Sequence, residues 1–257
     1  MTHRLLAAAA LVAATCIPVY AQESTPELVT DRPDFTESSD VAGRGVVQFE
    51  TGTTLEFDGG ARTLTAPLGL MRIGVSNRIE IRLSSDGFVS GIDARGVADM
   101  EIGAKVRVFH SEKWGFDAAV IPMITVPTGS ATMTTGAYDP TLKLTYAKSL
   151  GAGFDLSGNF NVSRVTDGED RFGQRAYSVS VGHDLGRGWG GFWEAYGFSR
   201  LEKDGGAAWT FDTGVSHGAG ANMQVDVEMG HGLTGAAPDW FVGAGFAVRG
   251  RGFGRTK

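Results

Sequence analysis

The sequence is poor in cysteine, in excess positive charge and in long apolar runs. Its single cysteine, Cys16, excludes a disulfide framework and any zinc site built from cysteines. The formal net charge of −6 argues against nucleic acid as a partner, because such a partner needs a basic surface. Beyond the N-terminus, no stretch approaches the roughly 18 consecutive apolar residues of a transmembrane helix. Metal-ligand spacing is also missing, so we expect neither a metal nor a cofactor.

Glycine and aromatic residues are what the chain does contain. Glycine occupies 38 of 257 positions, about twice its usual share, and it lacks the three-residue period of collagen. Phe, Trp and Tyr make up 10% of the chain, too many for a disordered linker. Glycines that alternate within strands, such as Gly243 and Gly245, predict curvature and close approach of the backbone.

The N-terminus has the pattern of a secretory signal peptide. Arg4 supplies a positive charge, residues 5–17 form an apolar run, and residues 19–21 resemble a cleavage site. The run has about 13 residues, which is short of the ~20 that a spanning helix needs. A lipoprotein modified at Cys16 is the alternative, and Thr15 before the cysteine disfavours it. We therefore expect export, with cleavage after residue 21 and a mature chain without cysteine.

Most of the remaining chain alternates between apolar and polar residues. In the segment 78–83, isoleucine and leucine alternate with arginine and glutamate, so a strand would present one apolar and one polar face. A helix would place Glu80 and Arg82 on the apolar stripe. The second segment is interrupted by Pro67, and the ninth carries aromatics on both faces. About twelve segments of roughly 9 to 14 residues can be counted, beginning near residues 45, 62, 78, 98, 116, 141, 153, 174, 190, 209, 222 and 240.

Two all-β architectures fit these strands, a secreted sandwich and an outer-membrane barrel. Loop length separates them, because short turns and longer loops alternate after the first hairpin, as in transmembrane barrels. A closed barrel also has no free sheet edges and needs no disulfide. We predict an all-β, transmembrane up-and-down antiparallel β-barrel of about 12 strands in the outer membrane, with lipid around it. The short connections are 76–77, 110–115, 149–152, 184–189 and 217–221, and the longer ones are 84–97, 126–138, 166–172, 201–208 and 232–239.

Several short motifs resemble a known family. They include Asp-Arg-Pro within 30–35 and Pro-Asp-Trp within 237–243, with weaker similarity at 101–105, 126–129 and 139–144. Over roughly residues 28–249 the chain resembles the outer-membrane transporters described as a putative meta-pathway of phenol degradation. This resemblance implies a barrel transporter, and it implies aromatic solutes less firmly.

The C-terminus departs from the usual pattern of such barrels. They end on an aromatic residue that the barrel assembly machinery, an expected partner, reads. Here the last strand is predicted to end at Arg249, and Gly250 stands where the aromatic is expected. A basic tail, 251–257, follows, and its Phe253 is the alternative aromatic.

In a barrel the polar strand faces point into the lumen. This face has two interpretations, a permeation path whose charges set selectivity or a mutually neutralising network that fills the interior. The same pattern also places Glu56, Arg175, Glu194, Asp212 and Arg249 there. The principal lumen-lining candidates are Glu50, Arg72, Arg78, Glu80, Arg82, Asp99, Glu101, Lys105, Arg107, Lys143, Asp226 and Glu228.

The residues before the first strand are candidates for a lumenal plug. Asp31, Arg32 and Asp34 lie in this stretch, whose alternative is a disordered periplasmic leader. The predicted organisation is a signal peptide (1–21), an N-terminal segment (22–43), the barrel (44–250) and the tail (251–257).

The expected function is passive uptake of small hydrophobic or aromatic, phenol-like molecules through the lumen. A structural or assembly-partner barrel with a filled lumen is the alternative. An enzymatic barrel is less favoured, because the histidines are scattered and Ser216 and His217 would lie on opposite faces of a strand. We predict no catalytic residues and no metal ligands.

Overall fold

The computed structural model describes residues 28–92 and 95–252. The predicted signal peptide, residues 22–27 and residues 253–257, including Phe253, lie outside the described residues. Within these ranges the chain forms strands, turns and bends. No helix in the described part is long and apolar enough to cross a membrane.

Fourteen strands form one antiparallel sheet in the described chain. Twelve are long and follow one another around the sheet, and two short ones lie within a loop. The strands are β1 Val46–Asp58, β2 Ala61–Gly74, β3 Ile79–Ser85, β4 Phe88–Ser90, β5 Arg95–Val97, β6 Met100–Ser111, β7 Phe116–Val126, β8 Pro140–Gly151, β9 Phe154–Asp167, β10 Asp170–Gly186, β11 Trp189–Phe198, β12 Ala208–Gly218, β13 Met223–Gly232 and β14 Trp240–Arg251.

The sheet closes on itself through its first and last strands. β1 pairs with β14 from Val46↔Arg251 to Phe57↔Trp240, and its other edge pairs with β2. The short β4 and β5 form a hairpin beside the first residues of β2. The predicted up-and-down barrel of twelve strands is thereby confirmed. Closure satisfies the hydrogen bonds of the backbone within the sheet, which hydrocarbon surroundings require.

Alternation along each strand separates an apolar outside from a polar inside. On β13, Val227 and Met229 are 52% and 57% exposed, whereas Asp226 between Val225 and Val227 is 4% exposed. The same contrast on the other strands gives an apolar outer surface. Such a surface is favourable in lipid and unfavourable in water.

The connections between strands differ in length between the two ends of the barrel. We call the end that carries residues 45 and 252 the turn end, and the opposite end the loop end. The predicted loop 166–172 is wrong, because β9 and β10 continue to a two-residue turn at Gly168 and Glu169. Inward-facing Phe172, only 5% exposed, extends the strand pattern to this hairpin, and Gly168 has the positive φ of 57° that a tight turn favours.

The last strand is longer than predicted. β14 continues to Arg251, the first residue of the predicted tail, because Arg251 pairs with Val46. The amide of Gly252 also donates to the carbonyl of Gly45 at 2.9 Å. The barrel wall therefore extends one residue past the predicted boundary at Gly250.

The N-terminal residues lie against the inward-facing side chains of the barrel. We call residues 28–44 the inner segment. It joins β1 at the turn end, where the amide of Gly45 donates to the carbonyl of Gly74 at 2.8 Å. From there its hydrogen bonds reach β2, β3, β6, β8, β11 and β13. The segment thus touches strands on opposite sides of the barrel.

Candidate functional site in the barrel lumen

One side of the lumen carries a buried carboxylate among three cations. Asp31 of the inner segment accepts from Arg82 Nη1 at 2.6 Å and from Lys105 Nζ at 2.9 Å, and Arg72 Nη1 lies 3.6 Å away. All four side chains are 2% exposed or less. The amide and hydroxyl of Ser38 also donate to Asp31, at 2.8 and 2.7 Å.

Strand register explains why these cations meet. Arg72 of β2 and Arg82 of β3 are direct cross-strand partners, an arrangement of like charges that destabilises a sheet unless anions intervene. Glu80 accepts from Arg72 Nε at 2.9 Å and from Arg82 Nη1 at 2.8 Å. Glu50 of β1 accepts from Arg72 Nη1 at 3.2 Å. Barrel carboxylates and Asp31 together offset the paired arginines.

The same two glutamates also bind the backbone of the inner segment. Glu50 Oε2 accepts from the amide of Asp31 at 2.9 Å, and Glu80 Oε2 accepts from the amide of Ala42 at 2.6 Å. Arg72 Nη2 donates to the carbonyl of Asp40 at 2.7 Å. The segment is therefore held through its main chain as well as through Asp31.

Further cations on this side bind two more acidic residues of the segment. Glu37 pairs with Lys143 Nζ at 2.9 Å and with Arg82 Nη2 at 3.1 Å. Asp40 pairs with Arg107 at 3.4 Å, and its side chain is 45% exposed. We call Arg72, Arg82, Lys105, Arg107 and Lys143 the basic wall.

Charge at this wall favours ionised carboxylates in the segment. Burial by itself opposes ionisation of Asp31, but the charges of Arg72, Lys105 and Arg82 outweigh it and hold its pKa well below the usual value. The pKa of Glu37 is lowered in the same way, with burial opposed chiefly by Lys143. Both side chains therefore bind as anions.

The opposite side of the lumen is acidic. We call Glu194, Asp212, Asp226 and Glu228, on β11 to β13, the acidic wall. Arg32 Nη2 lies 3.0 Å from Asp226 Oδ1 and 4.0 Å from Glu228 Oε1. The inner segment thus presents an anion to the basic wall and, at the next residue, a cation to the acidic wall.

Glu194 holds the middle of the segment. The amides of Phe35 and Thr36 donate to its two carboxylate oxygens at 2.6 and 2.9 Å, and the Thr36 hydroxyl also donates to it. The Phe35 ring stacks on Tyr196 with centroids 4.7 Å apart and meets Phe198 edge-on. Aromatics on the inner face of β11 therefore pack on the segment, which explains why both faces of this strand are aromatic.

Asp34 lies within the electrostatic influence of the acidic wall. Burial, together with the negative charge of Glu194, raises the pKa of Asp34 well above its usual value, although a hydrogen bond with Ser180 opposes the shift. Asp34 is consequently favoured in its neutral form, in contrast to Asp31.

Two cavities lie along the lumen. The outer one, towards the loop end, has a volume of 330 Å³ and is lined in part by Asp86, Asp99 and Glu101. The inner one, towards the turn end, has 470 Å³ and is lined in part by Asp34 and His183. Arg32 lines both. The inner segment therefore stands between them.

The predicted lumen residues fall into four groups. Seven contact the inner segment at the basic wall or beside it, and Asp226 and Glu228 lie at Arg32. Asp99 and Glu101 line the outer cavity, where Asp99 also accepts from the amide of Gly129 at 2.8 Å. Arg78 is exposed in the turn before β3, which begins only at Ile79, and so it lies at the rim. The seven are Glu50, Arg72, Glu80, Arg82, Lys105, Arg107 and Lys143.

Several segment residues at this site carried no sequence signal. Phe35, Thr36, Glu37 and Asp40 contact the walls closely, yet nothing in a short polar stretch shows which strands it will meet. The sequence predicts a lumenal role only for Asp31, Arg32 and Asp34, from their place in a motif that resembles the family. The clue that the sequence offers to this site is the closeness of two acidic residues and one arginine within residues 31–34.

The histidines form separate local contacts. His231 Nδ1 lies 2.6 Å from the backbone carbonyl of Asp239, whose carboxylate instead accepts from the amide of Gly59. His110 pairs with the cross-strand Asp117 at 2.5 Å near the turn end. These contacts are structural links between neighbouring strands and turns.

The chain is similar to one protein family and to several solved structures. The family model described as "Putative MetA-pathway of phenol degradation" matches residues 30–250, whereas no curated protein matches. The COG4313 outer membrane channel from Pseudomonas putida F1 is similar in structure, with a TM-score of 0.66 and 13% identity over 82% of this chain and 98% of that one. The NanC porin gives a TM-score of 0.58 at 8% identity, covering 78% and 98% of the two chains. The KdgM porin gives 0.54 at 9% identity, with the same coverage. The chain belongs to the family described as the putative MetA-pathway of phenol degradation, and its barrel has the fold of the outer-membrane channels.

Proposed function

We propose that the barrel is a channel for passive uptake of small hydrophobic or aromatic, phenol-like molecules across the outer membrane. The structure described is then its closed state, with the inner segment across the lumen. The observation that carries this proposal is the pair of cavities separated by the segment, with Arg32 lining both. Membership in a family named for phenol degradation supports the solute class.

The segment is suited to leave without opening the barrel wall. The hydrogen bonds described above between residues 28–42 and the wall are made to side chains of the wall, for example Asp31 with Lys105 and Phe35 with Glu194. The pairing of β1 with β14 and β2 proceeds through the strands themselves. Once the segment moves, the polar walls would face an aqueous lumen, as the polar interiors of channel-forming barrels do.

A structural barrel with a permanently filled lumen is the second candidate. The observation that favours it is the cross-strand pair of Arg72 and Arg82, which relies in part on Asp31 for compensation. In that case the segment stabilises the fold and does not gate it. Removing the segment would then lower thermal stability without creating conductance.

Uptake into liposomes tests the channel. Liposomes carrying the folded barrel are compared with empty ones for early-time entry of phenol, and heat-modifiable migration on gels verifies folding. A variant lacking residues 28–42 is expected to admit phenol faster than the full mature chain. Equal rates for all three preparations would exclude the channel and favour the structural role. Assays of lipid and peptide hydrolysis by the same preparations test the enzymatic alternative.

A further inference from the structure

The guanidinium of Arg32 lies in a slot formed by two glycines of the barrel wall. Gly52 of β1 and Gly245 of β14 are direct cross-strand partners with inward-facing positions. A Cβ atom added at Gly52 would lie 2.6 Å from Arg32 Cζ, and one added at Gly245 would lie 2.5 Å from Arg32 Nε. An added Cβ would also lie 2.7 Å from the carbonyl oxygen of Ala244 at Gly52 and 2.5 Å from that of Thr51 at Gly245. Glycine at both positions therefore allows the two strands and the flat guanidinium to approach closely.

Carboxylates close the slot on its third side. Asp226 of β13 is the cross-strand partner of Gly245, and its Oδ1 accepts from Arg32 Nη2 at 3.0 Å. Glu228 is the partner of a further glycine, Gly243, where an added Cβ would collide with the glutamate side chain. Small residues on β14 thus make room for both the cation and the carboxylates around it.

The acidic wall as a whole has more acceptor capacity than Arg32 uses. Asp226 Oδ2 and Asp212 Oδ1 have no hydrogen-bond partner among residues 28–92 and 95–252, although the two residues are only 4% and 1% exposed. Buried polar atoms are normally partnered, and unpartnered ones call for an explanation. Arg32 is also the one segment cation that ion-pairs with this wall in the described chain. The wall can therefore accept hydrogen bonds beyond those that Arg32 donates.

We propose that the slot is a binding site for an organic cation of the guanidinium or alkylammonium class, which Arg32 occupies in the closed state. This inference rests on the proposed closure by the inner segment, since a solute reaches the slot only when Arg32 leaves it. The flat glycine floor and lateral carboxylates match a planar, multiply donating cation.

Chemical rescue tests the site. Arg32→Ala vacates the slot, and purified barrel in detergent is titrated calorimetrically with methylguanidinium chloride against sodium chloride of equal ionic strength. We expect saturable binding to Arg32→Ala, and binding about tenfold weaker or more in Arg32→Ala/Asp226→Asn, since a hydrogen bond to a charged group is worth this factor. The native chain should not bind, because Arg32 fills its slot. Arg32→Gln replaces Arg32→Ala if the latter does not fold.

A pair of glycine variants separates the slot from general charge attraction. Arg32→Ala/Gly245→Ala fills the slot while leaving the carboxylates, and it should lose binding. Because the added Cβ would also lie 2.5 Å from the Thr51 carbonyl oxygen, heat-modifiable migration must first show that this variant is folded. Arg32→Ala/Gly173→Ala is the matched control, because a Cβ at Gly173 of β10 would meet nothing within 4 Å. Binding that is unaffected by Gly245→Ala, or no binding to Arg32→Ala at all, would overturn the site.

Conductance of the same variants in planar bilayers distinguishes this inference from the channel proposal. Arg32→Ala should conduct more than the native barrel, and methylguanidinium should reduce the excess. If Arg32→Ala binds methylguanidinium but conducts like the native barrel, the site stands and the closure is wrong. If it conducts more but binds nothing, the closure stands and the site is wrong.

Discussion

Replacing Asp31 by Asn is expected to weaken the binding of the inner segment to the basic wall. Asn has the size of Asp and keeps an acceptor for the Ser38 amide, so the change removes mainly one negative charge. That charge faces Arg82 at 2.6 Å and Lys105 at 2.9 Å, with all three side chains 2% exposed or less. Removing one member of such a buried group costs about 3 kcal/mol or more, because the remaining charges stay buried without a partner.

A cost of about 3 kcal/mol shifts the equilibrium between the bound and the released segment more than a hundredfold towards release. We expect Asp31→Asn to show a correspondingly higher open probability in single-channel recordings. Asp40→Asn is the matched control in the same segment, since its side chain is 45% exposed and its pair with Arg107 is 3.4 Å long. Exposed pairs contribute at most about 1 kcal/mol, so this control should shift the equilibrium by fivefold or less.

Two results would refute this reasoning. Equal open probabilities of Asp31→Asn and Asp40→Asn would show that burial of the ion pairs does not set the closure. A lower unfolding temperature of Asp31→Asn without any added conductance would show that the network stabilises a filled barrel. Gel migration of heated and unheated samples confirms that each variant is folded before recording.

The remaining predictions concern pH, aromatic packing and the glycine slot. Because burial and Glu194 raise the pKa of Asp34, its contribution to seating is present at acidic pH and lost as pH rises through that raised pKa. Conductance should therefore increase with pH in the native barrel and increase less in Asp34→Asn, and parallel profiles would contradict this. Phe35→Ala loses the stacked ring and should weaken the binding of the segment in the lumen by about 2 to 3 kcal/mol. Faster proteolysis of the segment would show this loss. Gly245→Ala displaces Arg32 from the glycine slot and should raise conductance. Unchanged conductance would argue that Arg32 in the slot does not hold the segment in the lumen.

The strands were predictable because they depend on local pattern. The alternation in 78–83 that predicted a strand is the alternation of β3, since side chains on opposite faces of a strand meet opposite surroundings. Prediction failed at 166–172, where Asp167, Gly168, Glu169 and Asp170 have the composition of a loop. There the strands continue to a two-residue turn, and composition alone does not distinguish a tight hairpin from a longer loop.

The candidate site depends on contacts that no local pattern contains. Asp31 meets Arg82 and Lys105 across 51 and 74 residues of sequence, and their meeting requires both the register of β2, β3 and β6 and the path of the segment. The motif makes this segment a candidate plug, with a disordered periplasmic leader as the alternative, and the alternation predicts the lumenal charges only as a face without partners. Their pairing with particular segment residues was beyond the reach of the sequence.

The sequence by itself determined the fold class, the inward and outward faces and the absence of thiols from residues 22–257. Only the tertiary structure decided that one wall of the lumen is basic and the other acidic, and that neighbouring residues Asp31 and Arg32 reach opposite walls. The physical reason is that a two-residue alternation fixes which side chains face inward, whereas barrel closure and register fix which of them lie within ion-pairing distance.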